Sequence, residues 1–171
     1  MRSFIGSPVE NSNDFSNILK SLGLINGINP VSPNNLHLTY IFLSEINDIE
    51  KNIVIDSLKQ LKFKSLACRI LSIKTLPEGP NPRVIVITLD CPELYNINHE
   101  SGENLYLKSN RTQRFLPHIT IGRYRKHFNP VPLESLKLDI SVVRFSRICL
   151  YKSTLTPVGS IYEKLYCKES L

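Results

Sequence analysis

Apolar residues recur along this chain with two periods, near two in some stretches and near 3.6 in others, and the switches between them mark out elements. Arg2 to Ile5 predicts a first strand. Phe15, Ile18, Leu19 and Leu22 then fall at helical spacing inside a helix over Asn11 to Leu22, with Asn13 or Asp14 as its cap. After a loop rich in Asn and Pro, from Asn26 to Asn35, the run Leu36 to Leu43 predicts a strand. Its alternation sets His37, Thr39 and Ile41 on one face and Leu38, Tyr40 and Phe42 on the other. Ser44 is the expected cap of a helix over Ile46 to Leu61 that turns Ile49, Ile53 and Leu61 inward.

Two apolar runs, Lys64 to Leu76 and Arg83 to Leu89, flank Pro77-Glu78-Gly79-Pro80-Asn81-Pro82, a turn between antiparallel strands. Pro92 suits the first turn of a helix reaching about Lys108. Phe115 to Tyr124 predicts a strand with His118, Thr120 and Gly122 opposite Ile119 and Ile121, Gly122 leaving space beside the two polar residues. Val142 to Tyr151 and Ile161 to Tyr166 predict the last strands, joined through Pro157-Val158-Gly159-Ser160. About seven strands and three helices without strict alternation indicate an α+β fold with antiparallel sheets.

The chemistry lies in a tripeptide that occurs twice, His37-Leu38-Thr39 and His118-Ile119-Thr120. Residues two apart on a strand share a face, so each imidazole stands beside a hydroxyl, and two such strands together make a four-membered site. Imidazole titrates near 6.5 and serves as acid or base at neutral pH. A pair of them supplies both proton transfers that cleavage of a phosphate ester needs. The threonine hydroxyls suit the non-bridging phosphate oxygens, and Arg123 adds charge if a bend at Gly122 brings it to the His118 face.

Charge agrees with an anionic ligand. The chain carries a formal net charge of +6 and a pI near 9.2. From Asn104 to Leu133 there is no Asp or Glu, while Lys108, Arg111, Arg114, Arg123, Arg125 and Lys126 all fall in that span, around the second motif. Among the aromatic residues near the motifs, Tyr40 and Phe42 are expected to pack in the core. Tyr124 or Phe128 is the better candidate to stack on a nucleobase, and Phe4 lies close as well.

A length of 171 residues, 42% hydrophobic and 21% charged, suits one globular domain or two small lobes sharing a core, and excludes a disordered chain. The opening Met1 to Gly6 is too short for the apolar part of a signal peptide, and no stretch approaches a membrane span, so a cytoplasmic protein with no membrane partner is expected. Cys68, Cys91, Cys149 and Cys167 are scattered without metal or redox spacing and are expected to be reduced and partly buried. His99 and His127 also lack ligand spacing. The expectation is a mechanism with no metal and no cofactor, in a monomer.

Together these stretches resemble the RNA 2′,3′-cyclic phosphodiesterases, also called 2′-5′ RNA ligases, of the 2H phosphoesterase superfamily. The similarity runs through Met1 to Gly6, Asn35 to Glu45, Arg114 to Arg123 and Leu150 to Leu155, then Gly159 and Tyr162. Members often carry Lys, Gly and Arg where this chain has Ile41, Ser44 and Leu116; Arg114, Arg123, Arg125 or Lys126 would supply the missing charge. The resemblance implies one domain over residues 1–171 with two lobes. Two antiparallel sheets would be related by a pseudo-two-fold around a central cleft, helices outside. It implies metal-independent hydrolysis of RNA 2′,3′-cyclic phosphate ends to 2′-phosphates, with His37 as proton donor and His118 as proton acceptor. Thr39, Thr120 and Arg123 would bind the phosphate. The alternatives are joining or cleavage of 2′-5′ linkages, opening of a small cyclic phosphate, and a non-catalytic module of the same fold that binds RNA ends.

Overall fold

A computed structural model describes residues 1–103, 114–125 and 133–171. In chain order the elements are β1 (Arg2–Pro8), a 3-10 turn (Ser12–Phe15), α1 (Ser16–Gly23), β2 (Ile28–Pro30) and β3 (His37–Glu45). Next come α2 (Asp48–Gln60), β4 (Leu66–Leu76), β5 (Val84–Asp90), α3 (Glu93–Glu103) and β6 (His118–Tyr124), and then β7 (Val142–Phe145), β8 (Arg147–Thr156) and β9 (Gly159–Glu169). Every strand pairing is antiparallel.

Strand order gives the architecture its symmetry. The sheet runs β7-β4-β5-β6-β3-β1-β8-β9, with β2 laid against β6. Counted outward from the β6/β3 junction, β5 matches β1, β4 matches β8 and β7 matches β9. The two antiparallel halves are thus arranged about a pseudo-two-fold between the motif strands. Apolar side chains on one side of the sheet meet the helices in one large core, containing Ile5, Phe15, Ile18, Leu22, Leu38, Ile87, Leu94 and Ile119. No helix among the described residues is long and apolar enough to cross a membrane.

Several elements depart from the periodicity. The predicted loop from Asn26 to Asn35 contains β2, whose Ile28 pairs with Tyr124 and packs in the core. The predicted strand Val142 to Tyr151 breaks at Ser146 into β7 and β8, which join opposite halves of the sheet. The helix expected to reach Lys108 is described as far as Glu103, and its remainder lies outside the described residues. In α2 the cap is Asn47 rather than Ser44. Its side chain accepts from the Glu50 N–H at 2.9 Å, and the Glu50 carboxylate accepts from the Asn47 N–H at 2.8 Å. Val54 and Leu58 face inward along with Leu61, and Ile49 and Ile53 are 74% and 45% exposed.

The cysteines are a correction as well. Cys149 and Cys167 face each other in the β8–β9 register and form a disulfide, and Cys68 and Cys91 form a second. Partners 18 and 23 residues apart carry no motif; strand pairing supplies the proximity.

Two backbone positions hold β1 and β3 together. A Cβ on Gly6 would lie 2.5 Å from the Leu38 carbonyl oxygen, so only glycine allows that approach. Ser44 takes a left-handed φ of 56° beside a register shift, since it pairs with Ser3 while Phe42 pairs with Phe4 and Leu43 is the extra residue. That conformation costs a non-glycine residue about 1–2 kcal/mol, part of which glycine forfeits through its freer unfolded chain. Ser44→Gly is therefore expected to raise stability by about 0.5–1 kcal/mol in urea titration; a loss would mean that the Ser44 side chain is itself stabilising.

Candidate active site

The two motif strands touch through one register pair, Leu38 with Ile119. One step further along this antiparallel register, Thr120 lies across from His37 and His118 lies across from Thr39. The histidines occupy one diagonal of a square and the threonines the other. All four side chains are half-buried on one face, while Leu38 and Ile119 are fully buried on the opposite face.

Both imidazoles are oriented in the same way. His37 Nδ1 lies 2.6 Å from the Asn35 carbonyl oxygen, and His118 Nδ1 lies 2.6 Å from the Leu116 carbonyl oxygen. A carbonyl only accepts, so each Nδ1 holds a hydrogen and each Nε2 is left for chemistry, protonated as an acid or bare as a base. Leu116 does its work through the backbone, which any side chain permits. Burial lowers the His37 pKa below its ordinary 6.5; the bond to Asn35 opposes this, and the charges of Arg123 and His118 reinforce it.

Strict alternation fails just past each motif, for the same reason in both halves. Gly6 pairs with Thr39 and Ile5 with Ile41, which leaves Tyr40 as an extra residue. Val86 pairs with Thr120 and Ile85 with Gly122, which leaves Ile121 extra. Each bulge reverses the facing of the residues beyond it. Ile41, expected beside His37, is buried in the core, and Phe42, expected in the core, is 61% exposed. Gly122 makes its room for the helix side: a Cβ there would lie 3.2 Å from Ile28 and 3.4 Å from Leu22. Arg123, one residue on, is exposed and close enough to His37 for its charge to be felt. Phe42 and Arg123 thus occupy equivalent places, three residues after each motif threonine.

A bulge leaves backbone groups without ladder partners, and both are met here. Asn98 on α3 donates through Nδ2 to the Tyr40 carbonyl at 2.8 Å, and the Val31 N–H donates to the Ile121 carbonyl at 2.9 Å. The buried Tyr40 hydroxyl bonds to Ser7 Oγ at 3.0 Å.

Beneath His37 lies a second apolar cluster, on the site side of the sheet. Phe4 is 2% exposed, with its ring centroid 5.0 Å from His37 and 4.8 Å from Tyr151, against which it stacks. Tyr162 meets His37 edge-on at 4.9 Å, and Phe42 stands 6.1 Å from Phe4. Tyr151 and Tyr162 have no motif around them; only the resemblance through Leu150 to Tyr162 pointed at this hairpin. Of the stacking candidates Tyr124 is half-buried, and Phe128 lies outside the described residues, as do Lys108, Arg111 and Lys126. A recess of about 30 Å³ opens beside His37, bordered by Asn34, Tyr162 and Lys164. A larger hollow of about 500 Å³ lies elsewhere, among Asn13, Asn17, Asp139 and Arg144, and includes no motif residue. Among the described residues no three His, Cys, Asp or Glu side chains converge as metal ligands.

Removing the Asn98 amide leaves the Tyr40 carbonyl without its partner. Asn98→Ala is expected to lower stability by about 1–3 kcal/mol in denaturant titration. Unchanged stability would mean that water replaces the amide.

Known proteins resemble this chain in sequence and in fold. The chain is 34% identical to an RNA 2′,3′-cyclic phosphodiesterase of Methanocaldococcus jannaschii over 80% of its length and 82% of the relative's. It is 27% identical to a protein of the same name from Archaeoglobus fulgidus over 96% of this chain and 98% of that one. Among solved structures, E. coli LigT complexed with 3′-AMP superposes with a TM-score of 0.77 at 18% identity, covering 99% of this chain and 97% of that one. No family model matches the chain.

Proposed function

Because the chain belongs to the RNA 2′,3′-cyclic phosphodiesterase family of 2H phosphoesterases, we propose that it is a phosphoesterase that opens the 2′,3′-cyclic phosphate at an RNA end, leaving a 2′-phosphate. The observation that carries this reading is the matched pair of imidazoles, each tied through Nδ1 to a carbonyl two residues back and each presenting Nε2 to a face shared with two threonines.

In the proposed reaction water attacks phosphorus from the His118 side, and His118 Nε2 takes its proton. The bond from phosphorus to the 3′ oxygen breaks on the opposite side, and His37 Nε2 delivers a proton to that oxygen. Thr39 and Thr120 hold the non-bridging oxygens as negative charge gathers on them, and Arg123 adds a cation. Proton exchange with solvent then restores the two imidazoles. A 5′-hydroxyl in place of water forms a 2′-5′ linkage by the same transfers. No step needs a metal ion or a cofactor, and the proposed site is complete in a monomer. Histidine at both motif positions supports this reading over a module that only binds, which would gain from fixed cations there.

An RNA oligonucleotide ending in a 2′,3′-cyclic phosphate should be converted to the 2′-phosphate at a rate indifferent to EDTA. His37→Ala or His118→Ala should lower kcat by at least about 100-fold, the ordinary worth of one proton transfer. Full activity in either variant, or loss of activity to EDTA, would reject the scheme.

The pH dependence has a definite sign. His37 is the donor and must start protonated, yet burial lowers its pKa below 6.5 in the free protein. The anionic phosphate in the complex favours the charged imidazole and raises that value again. The alkaline limb of kcat/KM, which reports the free enzyme, is expected below pH 6.5, and the limb of kcat at higher pH. Coincident limbs, or a kcat/KM limb above 7, would assign the donor elsewhere.

A further inference from the structure

We propose that the recess beside His37, with Lys164 at its rim, is a subsite for the backbone phosphate of the nucleotide that precedes the cyclic end. This rests on the reading above, in particular on His37 as the donor. Attack and departure lie on opposite sides of phosphorus, so the departing 3′ oxygen faces His37, and the ribose that carries it, still bonded to phosphorus through its 2′ oxygen, sits on that side. At a 3′ end the rest of the RNA is attached through that ribose. Whatever borders His37 is therefore met first by the preceding nucleotide.

The recess is built for an anion. Its volume of about 30 Å³ accepts a water molecule or a phosphate oxygen, not a nucleobase. Tyr151 and Tyr162 line it beside His37, and Asn34 and Lys164 bring an amide and an ammonium group to it. Lys164 shares a strand face with Tyr162, whose ring lies 4.9 Å from His37, and it borders the same recess as the imidazole.

The two cations of β8 are already committed. Arg147 donates twice to the Glu10 carboxylate, at 2.9 Å each, and Lys152 lies 3.9 Å from Glu163. Among the described residues Lys164 forms no ion pair; its field reaches Glu10 only as a weak contribution behind Arg147. An exposed lysine on the border of that recess, with no ion pair among the described residues, is an open position for a phosphate.

The test compares two substrates, a mononucleoside 2′,3′-cyclic phosphate and a dinucleotide with the same cyclic end. For the dinucleotide, Lys164→Ala should raise KM about three- to fivefold and flatten its salt dependence, while the mononucleotide KM stays within about twofold. Lys164→Arg should restore the preference. An equal change for both substrates, or none for either, would overturn the subsite. If the wild type turned over neither substrate, the catalytic reading would fail by itself. Calorimetric binding of a dinucleotide 3′-phosphate against a nucleoside 3′-monophosphate would then decide the subsite. A loss in Lys164→Ala confined to the dinucleotide supports it, and equal affinities in wild type and variant overturn it.

Discussion

The pairing of Leu38 with Ile119 is the contact through which four side chains, 81 residues apart in two groups, become one site. It is a backbone register, so it constrains both strands at once: a slip of one residue on either side would turn the histidine and threonine of that strand into the core. Burial prevents the slip. Leu38 and Ile119 are both fully enclosed, and moving either to the polar face would expose a large aliphatic side chain and bury an imidazole. Hydrophobic burial on one face of the sheet thereby fixes the arrangement of the two histidines and two threonines on the other.

Around that junction the two halves solve the same problems by different means. Each motif strand bulges immediately after its threonine, and each bulge carbonyl is caught from outside the ladder, in one half by the side chain of Asn98 and in the other by the backbone of Val31. Each imidazole is turned by a carbonyl two residues back. A backbone donor depends little on residue identity, whereas Asn98 is replaceable only by a group with the same reach. The first half therefore depends on one side chain where its counterpart does not.

The motif faces were legible in the sequence because a period of two needs only local chain geometry, and His37, Thr39, His118 and Thr120 do share a face. Facing beyond the motifs was not. Whether Tyr40 or Ile121 adds a residue depends on the register of β1 and β5, which local pattern does not encode, and so Ile41, Phe42 and Gly122 turn opposite to the alternation. The bend that a contact from Arg123 would need at Gly122 falls one residue earlier, as the bulge at Ile121, and the Arg123 charge is felt at His37. The facing of α2 was hidden for another reason: two apolar stripes, Ile49 with Ile53 and Val54 with Leu58, compete, and packing against β8 and β9, far along the chain, decides between them. The disulfides depend on strand pairings made far along the chain and left no local mark.

The matched positions of Phe42 and Arg123 reach beyond facing. A frame with two-fold symmetry offers a ligand two opposite orientations of equal energy, and a cyclic phosphate with a nucleoside on one side is not symmetric. With an aromatic ring at one end of the frame and a guanidinium at the other, the two orientations cease to be equivalent. One inward or outward turn of the chain beside each motif is thus enough to give a palindromic scaffold a direction of reading.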